Sequence, residues 1–186
     1  MQKIILASGS PRRKQLLQWA QIDFDVMVSD VDESYPRGLS FDAVAMHIAF
    51  NKANAVKPLQ PGDAIILAAD TIVVCNNRII GKPADEADAI AILTELAGNT
   101  HEVITGVALL HKGNEVLFAD TTTVHFHPLS TEQIAFYVKN YQPYDKAGAY
   151  AIQEWIGVVG IKRVEGCFYN VMGLPVSRVV QELAKL

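Results

Sequence analysis

The stretch "AIILAADTIVVCNNRIIG", residues 64–81, decides the fold. It reads as two apolar strand segments with a turn at Asn76-Asn77, residues that tolerate left-handed backbone. A hairpin of this kind argues for antiparallel pairing. The flanking sequence argues for strand–helix alternation instead. Upstream, "IILASGSPRRKQLLQ" (4–18) reads as a strand over 3–8 and a helix over 11–20, with Ser10 as N-cap and Pro11 at the first helical position. "FDVMVS" (24–29) alternates as a second strand, and Ser40 or Asp42 starts a helix running to about Lys57. Downstream, "ADEADAIAILTELAG" (84–98) is the clearest helix. Ile90, Leu93 and Ala97 fall at i, i+3 and i+7, acids occupy the first turn, and Gly98 suits the C-terminal end. Residues 101–127 read as a hairpin around "KGN". "STEQIAFYVKN" (130–140) carries a capping box, Ser130 with Gln133. "GVVGIKRVEGCFYNVMG" (157–173) reads as a further hairpin around Glu165-Gly166, and a last helix begins near Pro175. Hairpins inside a strand–helix alternation predict an α/β chain of the mixed α+β kind. Its sheet is twisted, part parallel and part antiparallel, with helices packed around it and a ligand cleft at the strand ends.

Half of the 186 residues are hydrophobic, enough for one domain with a substantial core and too few for two ordinary ones. The expectation is a single domain over 1–186. The formal net charge of −4 lacks the basic surplus of a nucleic-acid binder. No apolar run approaches the ~18–20 residues of a membrane span, and the N-terminus does not read as a signal peptide. Two cysteines, Cys75 and Cys167, make neither a disulfide framework nor a metal spacing. The expected setting is soluble, reduced and cytoplasmic. "ESYPRGLS" (33–40) and "KPLQPGD" (57–63) read as loops.

Four features carry chemistry. Arg12 and Arg13 stand where a helix N-terminus is already positive, which disfavours cations by about 0.3–1 kcal/mol each. An anion there resolves the conflict: free N–H groups and the helix dipole attract phosphate, and the guanidinium forks match its oxygens. Ser8, Gly9 and Ser10 are small enough for a ligand to approach the backbone. The plainer alternative is a capped helix with two solvated arginines. Asp70 sits between apolar residues on both sides, and an unpartnered buried carboxylate costs several kcal/mol. Either the chain turns there, or the cost serves function. Lys52 lies in the largely apolar "AFNKANA", and Lys82 in the rigid "IIGKPAD"; each taken alone reads as a surface lysine. Asp32 and Glu33 either bind a divalent cation or solvate a loop. His125 and His127 alternate on a strand without a third ligand for zinc.

Taken together, "LASGSPRRKQLL", "NKA", "AADTIV", "GKP", "DKAGAYAIQ" and "VMGLP" resemble the Maf family of nucleoside triphosphate pyrophosphatases, in order and over nearly the whole chain. In fold that family is distantly similar to the inosine triphosphate pyrophosphatases. The resemblance implies cleavage of a nucleoside triphosphate between the α and β phosphorus, with Mg²⁺ or a similar cation such as Mn²⁺ or Co²⁺. It implies that Ser8, Arg12, Arg13, Lys52 and Lys82 bind phosphates, that Glu33 and Asp70 hold the metal, and that Asp70 accepts the proton. Arg12, Thr71 and Gln153 match the specificity markers of the subgroup acting on dTTP and UTP, with house-cleaning of non-standard pyrimidine nucleotides as a role. It also implies a homodimer. Two alternatives come with the family: a nucleotide-binding regulator of septum formation and cell division, and a pyrophosphatase for 7-methyl-GTP. This chain departs from the family pattern at Ala151 and Glu154, where glycine is common, beside the base-binding segment.

Overall fold

The structure, a computed structural model, describes residues 3–60 and 62–186. From the N-terminus, β1 (Ile4–Leu6) leads into α1 (Pro11–Trp19), then β2 (Phe24–Val26), α2 (Phe41–Val56) and β3 (Ile65–Cys75). Asn76 and Asn77, at φ 50° and 59°, turn the chain into β4 (Arg78–Ile80). After α3 (Glu86–Leu96), the strands β5 (Thr100–His111) and β6 (Asn114–Phe126) are joined by Lys112-Gly113. The elements α4 (Thr131–Tyr141), α5 (Trp155–Gly160), β7 (Ile161–Glu165), α6 (Phe168–Val171) and α7 (Val176–Leu183) complete the chain.

Among the described residues, the strands hydrogen-bond in the order β2-β1-β3-β5-β6-β7, with β4 on β3. Pairing of β1 with β2 and with β3 is parallel. Pairing of β3 with β4 and of β6 with β7 is antiparallel. The mixed sheet with helices expected from the sequence is therefore present.

Two compact units divide the chain. The first comprises Met1–Thr71, Thr105–Asp120 and Gly173–Leu186; the second comprises Ile72–Ile104 and Thr121–Met172. In the first, Ile5, Ala7, Ile66, Ala68, Ala108 and Leu110 of the strands pack with Ala49, Ala53 and Val56 of α2. Gly106 lets α2 lie hard against β5, since a Cβ there would stand 2.2 Å from the backbone carbon of Ala45. In the second, Leu93 and Leu96 of α3, Ile134 and Val138 of α4, and Ile152 and Ile156 are buried. His101, Phe126 and Tyr150 form an aromatic cluster with ring centroids 5.2–5.4 Å apart.

The helix starts follow the predicted chemistry. Ser10 accepts from the Arg13 N–H, Ser40 from Ala43, and Asp85 from Asp88. Ser130 and Gln133 form the capping box in both directions. Of the two readings left open at Asp70, the turn is not found: β3 runs through it as one strand of 11 residues. Three expectations need correction. Residues 157–173 are not a hairpin: α5, β7 and α6 share them, and β7 finds its partner in β6. The expected strand over 24–29 narrows to Phe24–Val26. The expected loop over 57–63 contains a 3₁₀ turn at Lys57–Leu59, and its Pro61 lies outside the described residues.

Candidate active site

In the first unit, the end of β1 and the first turn of α1 bring Ser8 and Arg13 together. Ser8 is buried, and its Oγ accepts from Arg13 Nη1 at 3.2 Å and from the Ser10 N–H at 3.3 Å. Arg13 Nε donates to the Gly173 carbonyl at 2.8 Å, and Nη2 donates to Thr71 Oγ1 at 3.0 Å. Thr71 Oγ1 also lies 2.9 Å from Thr105 Oγ1. Arg13 is thus a clamp between α1, β3 and the turn before α7. Burial lowers the pKa of its guanidinium, and the nearby Asp70 charge opposes that shift. The helix supplies no acid of its own: the first turn of α1 contains none. Arg12 sits beside Arg13, half-buried.

A second cluster of the same unit is built on Lys52. The largely apolar α2 carries this lysine toward Asp70, which β3 holds buried, and Lys52 Nζ stands 2.6 Å from Asp70 Oδ1. The same ammonium is 2.6 Å from Glu33 Oε1. The Lys52 side chain is only 19% exposed, whereas that of Glu33 is 50% exposed. Two carboxylates therefore converge on one cation beside a recess of about 250 Å³, whose lining includes Ser8, Gly9, Val28, Asp30, Glu33 and Lys52. Asp32, the other acid read as a metal candidate, is engaged locally. It accepts from the Ser34 N–H at 2.9 Å and the Ser34 hydroxyl at 2.8 Å, and those bonds lower its pKa.

Among the described residues no three histidines, cysteines or acids gather as a protein-only metal cage. Two carboxylates on one point are nonetheless what Mg²⁺ asks of a protein, since it completes its shell with water and substrate phosphate. The donor set therefore fits a metal that arrives with a phosphate ligand.

Lys82 and Gln153 belong to the second unit. Both are exposed. Lys82 follows Gly81, whose carbonyl accepts from the Gly148 N–H at 3.1 Å, so the "GKP" turn meets the "DKAGAYAIQ" segment. That close approach is where Gly148 earns its glycine: φ is +70°, and a Cβ would lie 3.0 Å from Val73 Cγ2. Sequence reasoning missed Thr105, Gly173, Tyr137 and Lys146 as supporting residues. A threonine inside the apolar "EVITGVALLH" is a faint signal for Thr105. Gly173 acts through its carbonyl, which no side-chain pattern reveals.

Comparison with known proteins adds four findings. The model of the family described as Maf-like protein matches residues 3–186. A dTTP/UTP pyrophosphatase of Cytophaga hutchinsonii is 50% identical over 183 residues, covering 98% of this chain and 84% of the relative. A dTTP/UTP pyrophosphatase of Parabacteroides distasonis is 47% identical over 182 residues, covering 97% and 94%. Among solved structures, the Staphylococcus aureus Ham1 protein aligns over 67% of this chain and 72% of its own, at 17% identity and a TM-score of 0.48.

Proposed function

The chain belongs to the Maf family, and from that premise we propose that it hydrolyses dTTP and UTP to the nucleoside monophosphate and pyrophosphate. The observation that carries this reading is the Asp70–Lys52–Glu33 cluster, built on the buried Asp70, in the same unit as the Ser8–Arg13 turn. A carboxylate placed inside an apolar strand is costly unless partnered, and the partner of Asp70 is the Lys52 ammonium 2.6 Å away.

In this reading Asp70 orients a water molecule and accepts its proton as the water attacks the α-phosphorus. Lys52 fixes the Asp70 carboxylate through Oδ1. Ser8, Arg12, Arg13 and Lys52 hold the phosphates, and the positive charge of the three basic side chains favours the charge that grows on departing pyrophosphate. Glu33 and Asp70 would hold Mg²⁺, or Mn²⁺ or Co²⁺ in its place; when bound, the metal neutralises phosphate charge and orients the substrate. Gln153 offers a donor and an acceptor, matching the N3–H and O4 of thymine or uracil. A cytoplasmic setting, a homodimer and house-cleaning of non-standard pyrimidine nucleotides complete the proposal on the family resemblance.

The test is pyrophosphate release from a panel of nucleoside triphosphates with Mg²⁺, run on the parent and Asp70→Asn. Activity concentrated on dTTP and UTP, reduced about 10²–10⁴-fold in the variant, is expected. Preference for 7-methyl-GTP would replace the base assignment. Tight nucleotide binding without release would favour the regulator of cell division.

A further inference from the structure

Gln153 stands on the turn Ala151–Glu154, which closes through the Glu154 N–H donating to the Ala151 carbonyl at 3.1 Å. One buried hydroxyl grips both ends of that turn. The Ala151 N–H donates to Tyr137 Oη at 3.2 Å, and Tyr137 O–H donates to Glu154 Oε2. Tyr137 is fully buried on α4 and stacks on Tyr141, with ring centroids 4.9 Å apart. On its other side, Glu154 Oε1 lies 3.7 Å from the ammonium of Lys146, a buried lysine also paired to Asp145 at 2.7 Å. The next helix presses on the same turn: a Cβ at Gly157 would stand 1.7 Å from the Ile152 carbonyl oxygen. Ala151 and Ile152 are buried, and Gln153 alone of this trio is exposed.

We infer that Glu154 and Tyr137 are positioning residues for base recognition, holding the turn so that Gln153 presents its amide to the pyrimidine in one orientation. This deepens the dTTP/UTP reading above and rests on it. The Glu154 carboxylate accepts the Tyr137 hydrogen bond through Oε2 and meets the Lys146 charge through Oε1. An amide that is already oriented loses less rotational freedom when the base binds, so the gain appears in substrate affinity rather than in the chemical step.

The experiment measures kcat and KM for dTTP and UTP, with inhibition by inorganic pyrophosphate, in Tyr137→Phe, Glu154→Ala, Glu154→Gln and Gln153→Ala. Tyr137→Phe and Glu154→Ala are expected to raise KM about tenfold, with kcat within about threefold and pyrophosphate inhibition unchanged. Glu154→Gln keeps an acceptor for Tyr137 and should recover most of the loss. Added to Gln153→Ala, either harmful change should cost little more, because its effect passes through Gln153. Losses that simply add, or that fall on kcat or on pyrophosphate inhibition, would overturn the inference while leaving the dTTP/UTP reading intact. A parent enzyme inactive on both nucleotides would overturn the reading and the inference with it. If Tyr137→Phe does not fold, the half-buried Glu154 pair decides alone.

Discussion

At the scale of single residues, Asp70 was legible because a charge inside an apolar strand is conspicuous, whereas the partner that makes it tolerable was not. Lys52 is 18 positions away, and nothing local ties the two. Arg13 shows the same limit more sharply. Its place in the sequence suggested an anion, but three of its N–H groups are taken by Ser8, Thr71 and Gly173, the last 160 positions distant. Arg13 therefore acts on its surroundings by fixing Ser8 and Thr71. Lysine has no fork and replaces at most one of these bonds well. Arg13→Lys is expected to destabilise the protein by about 1–3 kcal/mol in urea unfolding, because buried acceptors are left unsatisfied. Parent-like stability would show that the clamp exchanges freely with water.

At the scale of elements, helices announced themselves through caps and periodicity: α1 and α4 begin where Ser10 and Ser130 place them, α2 at Ser40 rather than Asp42, and α3 two residues inside the expected 84–98, capped by an Asp85 that the sequence reading did not single out. The 157–173 region misled because glycines that look like turn formers serve close packing. Gly157 admits a carbonyl and Gly160 admits the Phe126 ring. Gly106 plays the corresponding part in β5, and it sets how deeply α2, with Lys52, sits on the sheet. Gly106→Ala forces a methyl against the α2 backbone, which cannot rotate away as a side chain can. A loss of about 3 kcal/mol is expected, with a fall in turnover as Lys52 shifts; an unchanged urea midpoint and rate would mean that α2 slides without cost. The buried contact between β5 and Tyr150 makes a second element-level prediction. His101 Nε2 meets Tyr150 Oη at 2.7 Å, and burial, aided by His125, pushes the His101 pKa down to about 4. The native state thus keeps the ring neutral while the unfolded chain protonates it near 6.5. The unfolded state binds the extra proton between these values, so stability is full above about pH 6.5 and falls as pH drops toward 4, by about 3 kcal/mol in all. His101→Gln keeps an acceptor for Tyr150 but cannot titrate. Urea midpoints at pH 7.5 and 5 should therefore differ more in the parent than in the variant, and equal differences would remove His101 as the source.

At the scale of the whole molecule, composition excluded classes rather than naming one; the motifs in order along the chain named the family. Composition also poses an electrostatic problem. The protein carries a formal net charge of −4 and is proposed to bind a polyanion. The local count sharpens this: at the Lys52 cluster two carboxylates face one ammonium, leaving one net negative charge beside the proposed phosphate path. At about 4 Å and an effective dielectric near 20, a unit charge of the wrong sign opposes a phosphate by about 4 kcal/mol. Arg12 and Arg13 act against that repulsion, but neither of them cancels it at the cluster itself. A divalent cation does, turning the local sum from −1 to +1 and reversing the sign of the interaction. Chelation with EDTA is therefore expected to reduce pyrophosphate release by at least about 10²-fold, with recovery on added Mg²⁺. Glu33→Gln should raise the Mg²⁺ concentration needed for half-maximal rate, because one of the two converging carboxylates has lost its charge. Turnover that persists in chelator within threefold of the Mg²⁺ rate would mean that the arginines and lysines alone overcome the negative cluster, and would remove the metal from Glu33 and Asp70.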